Sequence, residues 1–453
     1  MNGRLPKGHK LSTPSGIELS VEGVFGAGGQ GEVYRVSTPR GERAVKWYYP
    51  ETATAGQRGI IESLVANRIQ DPRFLWPQAL VLEAPGRSGG AGSFGYLMDV
   101  RPKDFYDLPS LFRREVKGIS PRRLIIVALN TAEAYLRLHS QGRAYRDISY
   151  SNLFFKPSSG DILICDNDNA VEENMDTGVL GTSEFMAPEL MRRDPRARPT
   201  VQTDLHSLAV LLFMLLMNEH PLRGKADQDI HCFDENAMKR LFGTSPLFIF
   251  HPRDKSNQAV PGEQDTPIAL WDACPAVLKS LFTDAFTAGL GQPDQRVRET
   301  VWRDTFSQVY DSIVDCGGCG RSNYVDPGPN PPPLFCWKCR LPVRLPPRLE
   351  IVKDDRSRRL SRSIRLTPEA KLYPHHLERA VTRHDFSRPV GVIEPHPNDP
   401  AKLGLRNDSS RTWRVHNEST HTIQDVVPGL RASLRPGLLI EFGDGVEGMY
   451  RAN

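Results

Sequence analysis

The feature that most narrows the fold is a cluster of glycines set between extended segments. Gly26, Gly28 and Gly31 lie in Gly26-Ala27-Gly28-Gly29-Gln30-Gly31, and Glu32-Val33-Tyr34 follows at once. Apolar and polar positions alternate around this cluster from residue 17 to residue 50, which predicts strand, turn, strand and a third strand ending at Ala44-Val45-Lys46. A dinucleotide-binding unit would need a helix directly after the glycines, and the extended pattern at Val33 and Arg35 disfavours it. Glycine lets backbone amides approach a phosphate with no Cβ in the way. A hairpin that binds nothing has the same appearance, so the turn alone does not establish a ligand.

After Ser120 the period changes. Leu124, Ile125, Val127, Ala128, Ala132, Tyr135, Leu136 and Leu138 form one broad helical stripe, and further helices are expected over 204–217, 277–286 and 300–313. A small sheet followed by helices predicts an α+β body. With 39 % hydrophobic and 25 % charged residues, the 453-residue chain is neither disordered, collagen-like nor disulfide-dense. A net charge of +4 from 58 basic and 54 acidic residues excludes, by composition, a whole-chain nucleic-acid or membrane-surface binder. The longest apolar run, Leu208 to Met217, is too short to cross a bilayer, and the first residues carry no apolar signal core. A cytoplasmic protein with no membrane partner is expected.

Further chemistry-bearing residues occur in a fixed order. Lys46 on the third strand can neutralise phosphates, and Glu62, 16 residues later on an amphipathic stretch, is expected to hold that lysine by an ion pair or else to lie on a solvated helix face. Tyr145-Arg146-Asp147-Ile148-Ser149-Tyr150-Ser151-Asn152 matches the spacing of a phosphoryl-transfer loop, with Asp147 as base and Asn152 as a magnesium ligand. Asp166, after a hairpin over 154–164, supplies the second metal ligand, and Ala187-Pro188-Glu189 closes the series.

On these motifs the chain resembles the eukaryotic-like (Hanks-type) protein kinases of bacterial type over roughly residues 17–313. The resemblance implies a two-lobed kinase fold, with a small β-rich lobe and a larger helical one, and ATP and magnesium as cofactors. It also implies ATP-dependent transfer to protein hydroxyls, with autophosphorylation. By the same resemblance Met98 is the gatekeeper, the Asp99 carbonyl and Arg101 amide meet adenine, and Val33, Ala44 and Phe154 enclose its ring. Asp204 would hold the catalytic loop and Arg296 would pair with Glu189. Thr182, expected to bond Asp147, favours Ser or Thr acceptors. Arg146 is expected either to meet a phosphorylated Thr177 or Ser183 or to make a structural ion pair.

Three departures bear on activity. Tyr145 replaces a histidine, Asp166-Asn167-Asp168 replaces Asp-Phe-Gly, and Ser149 stands where a lysine is usual. The missing cation leaves a second class of function open: a pseudokinase or adaptor scaffold that binds partners without transferring phosphate.

Cys316, Cys319, Cys336 and Cys339 form two CxxC knuckles with a sixteen-residue spacer, the pattern of a structural zinc site, with two disulfides as the alternative. Three divisions are expected: a kinase-like domain at 1–313, a zinc ribbon at 314–346 and a β-rich domain at 347–453. Between Arg340 and Arg388 thirteen Lys or Arg stand against six acids, either a solvated basic face or a surface for an acidic or phosphorylated partner. Stacking aromatics are sparse there, so no nucleic-acid partner is expected. The last segment, with Gly404–Ser410 and Arg435–Gly443, resembles a forkhead-associated β-sandwich. The order kinase, ribbon and β-tail is similar to tellurite-resistance-associated kinases, which implies a von Willebrand A protein and a protein phosphatase as partners beside the protein substrate.

Overall fold

Six strands near the amino terminus roll into a closed barrel because their two faces are covered differently. They are β1 (Lys10–Ser12), β2 (Glu18–Ala27), β3 (Gly31–Thr38), β4 (Gly41–Tyr48), β5 (Ala79–Glu83) and β6 (Phe94–Met98), in the order β1-β2-β3-β4-β6-β5 with β1 returning to pair β5. Leu11, Leu19, Val21, Tyr34, Val36, Val45, Trp47, Val81 and Leu97 make one apolar cluster. The alternate residues Ala44, Lys46, Tyr96 and Met98 line a cavity instead. Both faces of β4 are therefore covered, and Ala44 through Tyr48 are all buried. Strand β1, only three residues long, lies outside the expected sheet and is the piece that closes it.

The computed structural model describes residues 3–84, 93–173, 180–228, 230, 232–328, 330–355, 358–368, 370–378, 384–418 and 420–452. Two compact units emerge, one of Met1–Val127, Thr131–Pro267 and Phe282–Thr300, the other of Ala128–Asn130, Ile268–Leu281 and Val301–Asn453. Among the described residues no helix is long and apolar enough to cross a membrane.

In the first unit, helix α1 (Ala55–Ala66) starts at Thr54, whose side chain accepts from the Gln57 amide. A later helix, Val201–Met217, is buried almost throughout. Its Phe213 meets Phe282 and Phe286 edge-on at 5.2 and 5.8 Å. The short strands Leu153–Phe155 and Ile162–Ile164 form the hairpin that delivers Asp166.

The second unit is rich in strands. One sheet of six contains Arg348–Asp355, Arg358–Arg365, Trp413–Asn417, Thr422–Val426, Leu438–Gly443 and Val446–Arg451. A sheet of four contains Lys371–Leu372, Gly391–His396, Asp399–Asn407 and Arg431–Leu434. Leu349, Ile393, Leu405, Trp413 and Ile440, drawn from both sheets, share one core. The division between units crosses helix Glu299–Asp311, whose Asp311 and Ser307 bond His376 at 3.1 Å and Arg362 at 2.9 Å.

Beside that helix His375, His376 and His384 form a buried cluster, the rings of His375 and His384 lying 4.4 Å apart. Burial pulls all three below the usual imidazole value, His384 to about 2, with Arg362 adding to the effect on it. The folded unit therefore holds them neutral while the unfolded chain protonates them near pH 6.5. For His384 the stability present above that value should be lost as pH falls toward 2, by about 1.4 kcal/mol per pH unit, and the lowered His375 and His376 act in the same direction. Hydrogen exchange of the second unit's strands at pH 7 and pH 5 tests this; equal protection at both would contradict it.

Candidate active site

A cavity of about 860 Å³ in the first unit is lined by the glycine turn, by Lys46, Asp147, Asn152 and Asp166, and by Val33, Ala44, Met98, Asp99, Arg101 and Phe154. That size lies within the range of small-molecule sites. The turn is closed by the Gly28 amide donating to the Gly31 carbonyl at 2.9 Å. A Cβ on Gly31 would come within 2.2 Å of the Trp47 carbonyl oxygen, so strand pairing demands that glycine. Gly26 and Gly28 face no such obstacle. Their bareness leaves the turn's amides accessible, as phosphate oxygens require.

Lys46 is almost fully buried, and its ammonium donates to Asp166 Oδ1, to Asp168 Oδ2 at 2.8 Å and to Gln30 Oε1 at 3.0 Å. Burial pulls the ammonium down, but Asp168 and Asp166 outweigh that and hold it above the ordinary lysine value. Asp166 is pushed up to about 6 by burial and by Asp168, against the pull of Lys46.

The expected Lys46–Glu62 pair is absent. Glu62 lies on the exposed side of α1 and accepts from Arg58 Nε at 3.0 Å, a local bond one helical turn away. Asp168 takes the lysine instead, and Tyr48 also donates to its Oδ2. The motif reading missed Asp168 and Tyr48. Their signals were an acidic residue two places after Asp166 and a tyrosine two places after Lys46 on the same strand.

Asn167 fills the position of the usual phenylalanine and is fully buried. Its Nδ2 donates to the carbonyls of Leu75 and Ile164, both at 2.9 Å. Hydrogen bonding thus anchors the turn that carries Asp166 where an aromatic ring would pack. Asp166 adopts φ of +54°, a left-handed conformation that aspartate tolerates better than most residues.

The Asp147 carboxylate is fixed from two sides. Thr182 donates to Oδ1 from its amide at 2.9 Å and its hydroxyl at 2.8 Å, and Asn152 Nδ2 donates to Oδ2 at 3.0 Å. The same Nδ2 also reaches the Asp147 carbonyl at 2.9 Å, so the amide's oxygen, which accepts from Ser151 Oγ at 3.5 Å, is the group that would serve a cation. Asn152 and Asp166 together offer the oxygen donors a hard divalent ion prefers, so the set fits magnesium. Asp204 holds this loop by accepting from the amides of Tyr145 and Arg146 at 2.5 and 2.9 Å. Tyr145 donates its hydroxyl to the Cys165 carbonyl, tying the loop to the residue before Asp166. Arg296 grips Glu189 through two bonds of 2.9 and 2.7 Å.

Arg146 donates to the carbonyls of Glu172 and Glu173 at 3.1 and 3.4 Å. Thr177 lies outside the described residues, and Ser183 opens a single helical turn with Phe185. Ser149 is buried and bonds Ser151 at 2.8 Å. Among the described residues the cations lining the cavity are Lys46, Arg101 and Lys103.

In the second unit the four knuckle sulfurs lie within 4.8 Å of one another. Cys316 and Cys339 are 3.6 Å apart, as are Cys319 and Cys336, too far for a disulfide of about 2.05 Å. Four sulfurs about 2.3 Å from one tetrahedral ion would stand about 3.8 Å apart, so the set fits zinc. Both knuckles turn alike. The Gly320 amide donates to the Cys316 carbonyl at 2.8 Å and the Arg340 amide to that of Cys336 at 2.9 Å, with φ of +69° and +60° at the donors.

Residues 90–285 match the protein kinase domain. The chain is similar to protein kinase C-like 2 of Schizosaccharomyces pombe, 29 % identical over 30 % of this chain and 13 % of that protein. It is also similar to the serine/threonine-protein kinase TOS3 of Saccharomyces cerevisiae, at 29 % over 28 % and 26 % of the two chains. The serine/threonine-protein kinase PknD of Mycobacterium tuberculosis is 24 % identical over 44 % of this chain and 30 % of its own length. The chain thus spans less than a third of each of these relatives. The matched range supports a protein kinase domain, and the last two relatives are serine/threonine kinases by name. The matched range begins after Lys46 and Glu62, so the assignment of the glycine turn and its lysine rests on geometry.

Purified protein should carry about one zinc per chain. Replacing Cys336 with Ser should lower that content and the melting temperature together, as read by atomic emission and thermal scanning. Full retention of zinc would count against a four-thiolate site.

Proposed function

We propose that the protein is an ATP-dependent serine/threonine protein kinase. The observation that carries this reading is the convergence of Lys46, Asp147, Asn152 and Asp166 on one cavity beneath a bare glycine turn. In a two-lobed kinase fold the barrel supplies the small lobe and the helices supply the large one.

Val33, Ala44 and Phe154 would enclose adenine, with Met98 behind it and the Asp99 carbonyl and Arg101 amide at its edge. Lys46 neutralises the α- and β-phosphates, and the glycine amides cover them. Asp147 accepts the proton of the substrate hydroxyl as that oxygen bonds the γ-phosphorus. The bond from phosphorus to the β–γ bridging oxygen breaks, and its electron pair leaves with ADP. Asn152 and Asp166 would hold magnesium, which offsets charge on the phosphates. Thr182, bonded to Asp147, supports Ser or Thr as acceptor. Ser183, next in the chain, is a self-phosphorylation site within the described residues.

The ribbon and strand-rich tail serve partner recognition in this reading. A forkhead-associated-like tail, a von Willebrand A protein and a phosphatase as partners, and a cytoplasmic location belong to it as well.

Ser149 favours a second reading. With no lysine there, a transition-state cation is missing, as in a scaffold that binds nucleotide without using it. Incubation with radiolabelled ATP and magnesium separates the two. The kinase reading expects phosphate on the chain or on a generic protein substrate, reduced at least about a hundredfold by Asp147→Ala. ATP binding without transfer in the unaltered chain would leave the scaffold.

A further inference from the structure

Phosphate-clamping lysines of kinases are held by a glutamate on the neighbouring helix. Here that helix, α1, turns its glutamate outward to Arg58, and a buried carboxylate from another part of the chain sits against the lysine. We propose that Asp168 is the positioning residue of this site, keeping Lys46 aimed at the nucleotide phosphates in place of the helix glutamate. The inference rests on the kinase reading.

Burial argues first. Asp168 has no solvent exposure, and a carboxylate so placed is tolerated only beside a cation. Among the described residues the cation bonded to it is Lys46. The pairing therefore gives the buried acid its counter-ion at the lysine itself.

Charge argues next. Two carboxylates share one ammonium, which leaves a negative charge in excess. Asp166 lines the cavity, whereas Asp168 does not. A divalent ion arriving with the nucleotide can draw on Asp166 while Lys46 keeps its second counter-ion. If Asp166 were the lysine's sole partner, metal binding would compete with positioning.

Connectivity argues last. Tyr48 donates to the Asp168 oxygen that Lys46 also meets, and Gln57 Nε2 donates to the Tyr48 hydroxyl at 3.1 Å. Gln57 is in the first turns of α1. The helix thus reaches the lysine through an amide, a phenol and a buried acid. Asn167, bonded to two carbonyls, fixes the turn that carries that acid.

The test is a double-mutant cycle on the full chain, reading KM and kcat for ATP together with equilibrium ATP binding. Asp168→Asn should raise the KM for ATP at least about tenfold. In a Lys46→Met background the same change should add little, because a residue acting through Lys46 has nothing left to position. Additive losses would instead mark a general structural role and overturn the proposal. Glu62→Gln should leave KM and kcat within about twofold of the unaltered chain, and a loss like that of Asp168→Asn would return the role to Glu62. Thermal melting of Asp168→Asn guards against misfolding, and should it fail to fold, the Glu62→Gln result decides alone. If the unaltered chain transfers phosphate and Asp168→Asn is neutral, only this inference falls. If it binds ATP but transfers nothing, the kinase reading falls and the cycle is read from binding.

Discussion

The ammonium of Lys46 joins two parts of the first unit that are 120 residues apart in sequence, the fourth strand of the barrel and the turn Asp166-Asn167-Asp168. Removing one partner from a buried pair costs about 3–5 kcal/mol, because the other charge is left without compensation. The barrel strand, the Asp166-Asn167-Asp168 turn and the glycine loop, through Gln30, all meet at that nitrogen. Without it Asp166 and Asp168 would face each other uncompensated and the cavity walls would lose the tie that holds them in register.

A second network holds the loop that carries Asp147. His139 lies between Asp204 and Glu299; burial pulls its imidazole down, but hydrogen bonds to those two carboxylates outweigh this and hold it up to about 9. Asp204 in turn accepts the two loop amides. A charged imidazole and two carboxylates therefore set the loop from behind, and Thr182 and Asn152 set Asp147 from the front. None of the rear groups lines the cavity. The separation lets Asp147 keep its position while the groups lining the cavity change.

Much of this was legible in the residues. Alternation around the glycines marked three barrel strands, the five-residue interval from Asp147 to Asn152 marked the loop that brings both to the cavity, and the paired CxxC spacing marked the thiolate cluster. Local pattern carries such features because each depends on period or on short spacing. Strand β1 escaped because three residues are too few to display a period. Glu62 misled because an acid on an amphipathic helix looks the same whether it faces a lysine or bonds its own helix. Asp168 could be named as a departure but not given a role, since its partners, Lys46 and Tyr48, are reached only when distant segments fold together.

The asparagine at 167 has a consequence for ligands. A phenylalanine in that position would be held by packing alone. Asn167 is fully buried and tied to the Leu75 and Ile164 carbonyls, so displacing it would strand an amide and two acceptors. Inhibitors that work by prising this turn open would find it shut, and chemistry aimed at the cavity should be built to the shape it already has.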